Sequence, residues 1–185
     1  MKKTAIILLV FISTCAFGQN AQTLTWQGRA AVGGYAPEGT LEILEASAEI
    51  KEDKLIDLSV VVDMRTLDQE NSRLKNHLRD EDFFYVDKFP VATFILSDVV
   101  QLKNAEILLN GIMTIRGMSS EEKIRAEVIR NDESIRISFD HIMDRTSYGI
   151  TYNSPSVFEK LKENAIADEF VLKGTIVVEI RSNNN

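Results

Sequence analysis

Chemistry at a protein site needs groups that ionise, coordinate or attack, and this chain offers few of them. It has two histidines, His77 and His141, and one cysteine, Cys15. The first histidine falls in a helix-like stretch and the second at a strand end, so no histidine-rich metal site is expected. No Gly-x-Ser-x-Gly elbow occurs, nor a serine followed by a base-bearing segment, so covalent catalysis has no evident nucleophile. The glycines of "GGY" (33–35) and "GIMTIRG" (111–117) do not open a helix whose first amides would hold a phosphate, and they read as bend and turn residues. The polar cluster left over is "DRTSYGI", Asp144 to Ile150. Arg145 has two readings there. Its guanidinium can grip an anionic or carbonyl head group at the mouth of a cavity through paired hydrogen bonds. The simpler reading is an ion pair with Asp144 or Asp168 that pins a long connection. An enzyme would have to draw its acid or base from Asp144, Asp168 or His141. No catalytic residue, cofactor or metal ligand is assigned.

The elements that would position these groups are strands. Ile56, Leu58, Val60, Val62 and Met64 alternate with mostly polar neighbours, and the same period of two runs through 91–99, 122–130 and 134–142. The pattern predicts eight strands, at 23–32, 39–50, 54–65, 91–99, 105–116, 122–130, 134–142 and 169–181. Two connections are long, 66–90 and 143–168. Leu74 and Leu78 predict a short helix near 70–80, and "SPSVFEKLKEN" a second near 154–164. Eight mostly sequential antiparallel strands imply an all-β, up-and-down barrel, because closure removes the edges that such a sheet would expose. Strand parity turns Trp26, Val60, Val62, Met64, Phe94, Met113, Ile115, Ile137 and Phe139 inward. The stretch "DEDFFYVDKFPVATF" (80–94) adds Phe83, Phe84 and Phe89 at one end of this interior. Such rings can plug a barrel or wall an apolar cavity, and periodicity leaves both readings open.

Residues 1–18 stand apart. Lys2 and Lys3 precede the apolar run "AIILLVFI", and Ala16-Phe17-Gly18 precedes Gln19, which is the layout of a secretory signal peptide. The domain proper is then expected at 19–185. Acylation of Cys15 is the lesser alternative, since Thr14 stands before it. Cutting after Gly18 leaves no cysteine and hence no disulfide. Losing Lys2 and Lys3 reduces 21 basic residues to 19 against 28 acidic ones, so the charge moves from -7 to -9. An acidic surface without basic clusters argues against nucleic acid as a partner.

"LRDEDFFYVDKFPVATF" resembles the signature of the YceI-like family, in which a leucine-bearing helix end runs into paired Phe, an aromatic-Pro and Ala-Thr-Phe. The likeness continues in "LTWQGRAAVGGYAPEGTLEI", "LSVVVDMRTLD", "LNGIMTIRGMSSEEKI" and "FDHIMDRTSYGITYNS". The chain departs from that pattern at Tyr35, where many members have histidine, and at Ala48, in a region often marked by glycine. The resemblance implies an eight-stranded lipocalin-like β-barrel with two short helices, periplasmic or secreted, that takes up an isoprenoid or other long-chain lipid. It implies a tunnel lined by the inward residues named above, with Arg145, Tyr35 and Tyr148 as head-group candidates at its mouth. Transient contact with a membrane is expected, and the oligomeric state is not set. A filled-core structural barrel and an enzyme acting on a bound lipid are the competing classes. A ten-residue strand rises about 33 Å, long enough to hold a prenyl tail.

Overall fold

The computed structural model describes residues 22–131, 133–158 and 165–179. Nine strands appear in it: β1 (Thr23–Gln27), β2 (Glu38–Lys51), β3 (Lys54–Asp68), β4 (Val91–Leu96), β5 (Val100–Gln101), β6 (Glu106–Ile115), β7 (Met118–Arg130), β8 (Ser134–Asp144) and β9 (Glu169–Glu179). All pair antiparallel, in the order β2-β1-β9-β8-β7-β6-β4-β3, and β2 then pairs with β3 to close the ring. The two-residue β5 pairs with the start of β3 beyond β4, so it acts as the far end of one interrupted strand. The barrel wall therefore has the eight strands expected. The first strand stops at Gln27 rather than at 32, and β7 begins at Met118, four residues earlier than the alternation suggested.

Closure bends the sheet sharply, and glycines with covering side chains sit at the bends. A Cβ on Gly39 would lie 2.6 Å from the Trp26 ring, and one on Gly111 would lie 2.4 Å from Cζ of Phe94. The rings thus occupy the space that these residues leave empty, as curved sheets require. Bulges also break strand parity. Register shifts between β2 and β3 at Leu55–Asp57, Val61–Val62 and Asp63–Asp68 break the buried row of Leu58, Val60 and Met64, so that Leu55 and Leu67 are buried on the opposite parity and Ile56 is turned out of the inward row. At the larger bulge the Asp63 carboxylate accepts from the backbone N–H of Arg65 and from its Nε and Nη2. These bonds hold the Asp63 carboxyl below its usual range.

One end of the barrel carries the long connections. Helix α1 (Ser72–Arg79) starts at Asn71, whose side chain accepts from the N–H groups of Arg73 and Leu74. It buries Leu78, and the chain then turns through Phe83 and Val86 into β4. Arg116 and Gly117 both have positive φ in the two-residue turn from β6 to β7, the geometry that matches strand twist. The Arg116 guanidinium donates to the carbonyls of Gly149 and Glu81, tying that turn to both long connections. The second expected helix needs correction. Residues 154–158 form turns, held by bonds from the N–H groups of Val157 and Phe158 to the Ser154 carbonyl, and 159–164 lie outside the described residues. The other helical element among the described residues is a 3-10 turn, Arg145–Tyr148, capped by Asp144.

Candidate functional site

The barrel interior is divided. At the end away from α1 it is filled by Leu55, Leu96, Ile107, Val128, Ile135 and Val178, all buried. Toward α1 it opens into a cavity of about 210 Å³. Its wall comes from inward residues of all eight barrel strands, β1 to β4 and β6 to β9, and Leu74, Leu78, Phe83 and Phe84 of α1 and the following turn roof it. The polar residues among the lining are Arg29, Tyr35, Thr93, His141, Arg145 and Glu169. The side chains of Arg29 and Glu169 are 62% and 63% exposed and 3.7 Å apart, and Tyr35 is also exposed, so these three mark the mouth.

Trp26, Val60, Val62, Met64, Phe94, Met113, Ile115, Ile137 and Phe139 all line this cavity. Parity placed them because each lies clear of the bulges or at a point where the row resumes. Phe83 and Phe84 wall the cavity, one of the two readings open for the rings of 80–94, whereas Phe89 is not part of the lining and packs over Gly117; Leu74 and Leu78 predicted the helix but were not assigned to the wall. Leu24, Leu41 and Leu58 line the cavity as well.

The three head-group candidates lie in three different settings. Tyr35 stands at the mouth. Arg145 also touches the cavity, but it is buried and its guanidinium is committed elsewhere. Nε donates to the Ala167 carbonyl at 3.0 Å, Nη1 to that of Ile150 at 2.8 Å and Nη2 to that of Ile166 at 2.8 Å. Nη2 also lies 3.4 Å from Asp168. The guanidinium therefore pins the long connection, as in the simpler of the two readings. Burial lowers its pKa, with Asp168 and Asp144 opposing. Asp168 is itself pushed up by burial, yet bonds from Ser154 and Ser156 and the charge of Arg145 bring it below the usual carboxylate range. Tyr148 is not part of the lining. It is fully buried at the end of the 3-10 turn, and its hydroxyl donates to Glu122 Oε1 at 2.6 Å.

A polar group that the sequence did not signal forms around Glu122. Its other oxygen, Oε2, lies 2.8 Å from Nε2 of His141, and both side chains are more than four-fifths buried. Burial first, and then the bond to Glu122 and its charge, push the Tyr148 phenol far above its ordinary pKa and keep it a donor.

A family model for the YceI-like domain matches residues 17–178. The chain belongs to the YceI-like family. A UPF0312 protein of Vibrio cholerae is 34% identical to this YceI-like domain over 70 residues, which cover 38% of this chain and 37% of that protein. The stretch matched thus spans well under half the length of that relative. Among solved structures, Burkholderia cenocepacia BcnA superposes with a TM-score of 0.70 at 16% identity, covering 85% of this chain and 96% of its own. A polyisoprenoid binding domain from Saccharophagus degradans gives a TM-score of 0.60 at 14% identity, covering 87% of this chain and 96% of its own. These similarities extend the barrel to distant sequences.

Proposed function

We propose that this YceI-like domain is an exported binding protein that holds a polyisoprenoid or similar long-chain lipid in its barrel and has no catalytic role. The observation that carries this reading is the cavity: an apolar wall roofed by α1, with polar groups gathered at one mouth. That is the arrangement a small hydrophobic ligand needs, since apolar lining supplies affinity and a few polar atoms set orientation. The polyisoprenoid binding named for the Saccharophagus degradans domain supports the choice of ligand class. The non-catalytic reading draws support from the engaged state of each acid or base candidate. Asp144 accepts from the N–H and hydroxyl of Thr146, Asp168 is held by Arg145 and two serines, and His141 is held through its Nε2 by Glu122. Export and a periplasmic or secreted site rest on the order of charged, apolar and small residues in 1–18, which lie outside the described residues.

Mass spectrometry of lipid extracted from protein purified without detergent tests the binding. The expected result is a stoichiometric isoprenoid or long-chain species. A well-folded barrel that carries no lipid and refuses a fluorescent prenyl probe refutes it. N-terminal sequencing of exported material tests the processing, with a start at Gln19 expected and a start at an acylated Cys15 against it.

A further inference from the structure

The lipid reading says nothing about the ligand's polar end, and the Glu122–His141–Tyr148 group addresses it. His141 lies on the cavity side of β8, opposite Leu172, which is also on the wall. The rung joining Asp144 to Glu169 marks the mouth, three residues away. At about 3.3–3.4 Å per residue, His141 sits about 10 Å inside it. Below it along β8, Phe139 and Ile137 continue the wall in apolar residues.

The hydrogen bonds fix which atom His141 offers. Tyr148 is a donor to Glu122 Oε1, so that oxygen is an acceptor. A carboxylate only accepts, so the Nε2 that meets Oε2 carries a proton. In the neutral imidazole Nδ1 is then left with a lone pair, and it has no hydrogen-bond partner among the described residues. Charge narrows the choice further. Arg29, Arg145 and His141 are the only basic residues lining the cavity among the described residues. Arg145 is committed to three carbonyls and Asp168, and Arg29 stands exposed beside Glu169. An anionic head drawn to a neutral His141 would lie across that ring from the Glu122 carboxylate bonded to it, with no free cation to balance the two charges.

We infer that His141 is a specificity-determining residue whose Nδ1 accepts a hydrogen bond from the hydroxyl of a neutral lipid alcohol, with the tail directed past Phe139 and Ile137. This rests on the lipid-binding reading and names the ligand's chemical class. Glu122 and Tyr148 act as positioning residues, holding the ring in the tautomer that accepts.

The test is equilibrium binding followed by the fluorescence of Trp26, the single tryptophan, which lines the cavity. Three probes are used: farnesol, farnesyl methyl ether and farnesyl diphosphate. The ether keeps the oxygen and loses the donor; the diphosphate replaces the hydroxyl with charge. Farnesol is expected to bind about tenfold tighter than the ether, the worth of one net hydrogen bond in a desolvated site, and the diphosphate most weakly. In His141→Phe the advantage of the alcohol over the ether is expected to fall to within about twofold. Equal wild-type affinity for alcohol and ether overturns the inference and leaves the lipid reading standing. So does a diphosphate that binds tightest. Failure of all three probes to bind sinks the lipid reading, and the inference with it. An alcohol advantage that survives in His141→Phe overturns the inference too, and an absent advantage in the wild type does so even where the variant does not fold.

Discussion

Replacing Arg145 with Met keeps an unbranched apolar stem of similar length and removes every N–H donor. Three carbonyls, of Ala167, Ile150 and Ile166, then lose bonds of 3.0, 2.8 and 2.8 Å. Hydrogen bonds to a charged group contribute about 1.5–3 kcal/mol each, and the low end applies because two of the three are only part-buried, giving about 4–5 kcal/mol in total. Against this stands relief of the burial that depresses the Arg145 pKa, because the wild type carries a desolvated charge. A net loss of about 3–4 kcal/mol is expected, a large share of the ~5–15 kcal/mol by which domains are stable. Urea unfolding monitored at Trp26 measures it as a lower midpoint at unchanged slope. Arg145→Lys should recover less than half, since one ammonium cannot serve three carbonyls spread around a planar fork. A loss below about 1 kcal/mol for Arg145→Met would refute the reasoning, because it would mean that the long connection is held by something other than this guanidinium.

Gly111→Ala places a methyl 2.4 Å from Cζ of Phe94 and 2.6 Å from the Ile95 carbonyl. The ring can yield and the backbone cannot, so a loss of about 1–3 kcal/mol in a denaturant titration is expected. Asp168 has a depressed folded pKa, so its stabilisation is complete above the ordinary carboxylate range and fades as pH falls below it. Asp168→Asn should therefore lower stability at pH 7 and flatten the acid limb of a stability-versus-pH curve, and an unchanged acid slope would count against the assignment. Ala92 is buried on the cavity wall. Ala92→Leu should fill part of the cavity, reducing uptake of a fluorescent prenyl probe while leaving thermal stability equal or higher; undiminished uptake would place the ligand elsewhere.

Alternation carried the barrel because a closed wall with one apolar face forces a period of two on every strand, and the strand limits failed where the backbone leaves that period. Ile56 was read inward because the bulge near Leu55 has no mark in residue type; a bulge shifts parity through an extra residue whose identity is almost free. The first strand looked longer because "GRAA" keeps apolar residues beyond Gln27, where the chain turns away to make one side of the mouth. The Arg145 question was posed correctly in sequence, but its answer depends on three backbone carbonyls, and carbonyls carry no residue label. The Glu122–His141 pair stayed hidden for a related reason. Glu122 sits among "SSEEK", which reads as a solvated edge, and only the pairing of β7 with β8 turns that carboxylate toward a histidine nineteen positions away.

A lipid tail in a membrane is already out of water, so the hydrophobic effect alone gives little reason for it to enter the barrel. The cavity itself supplies one. An apolar void leaves its lining without partner atoms on one side, at about 24 cal/mol per Å³ in cores that cannot collapse. For about 210 Å³ this is on the order of 5 kcal/mol carried by the empty barrel. Collapse is resisted here by the closed ring of strands and by the filled half, where Leu55 and Ile135 are fully buried and fix the barrel's width. On the lipid reading proposed above, a tail that fills the void gains from the protein contacts which the bilayer cannot match in shape, while the filled half stabilises the fold. On that reading the division of the interior belongs to the binding mechanism: a barrel packed throughout would have no room, and a larger void would cost the fold more at the same rate per Å³.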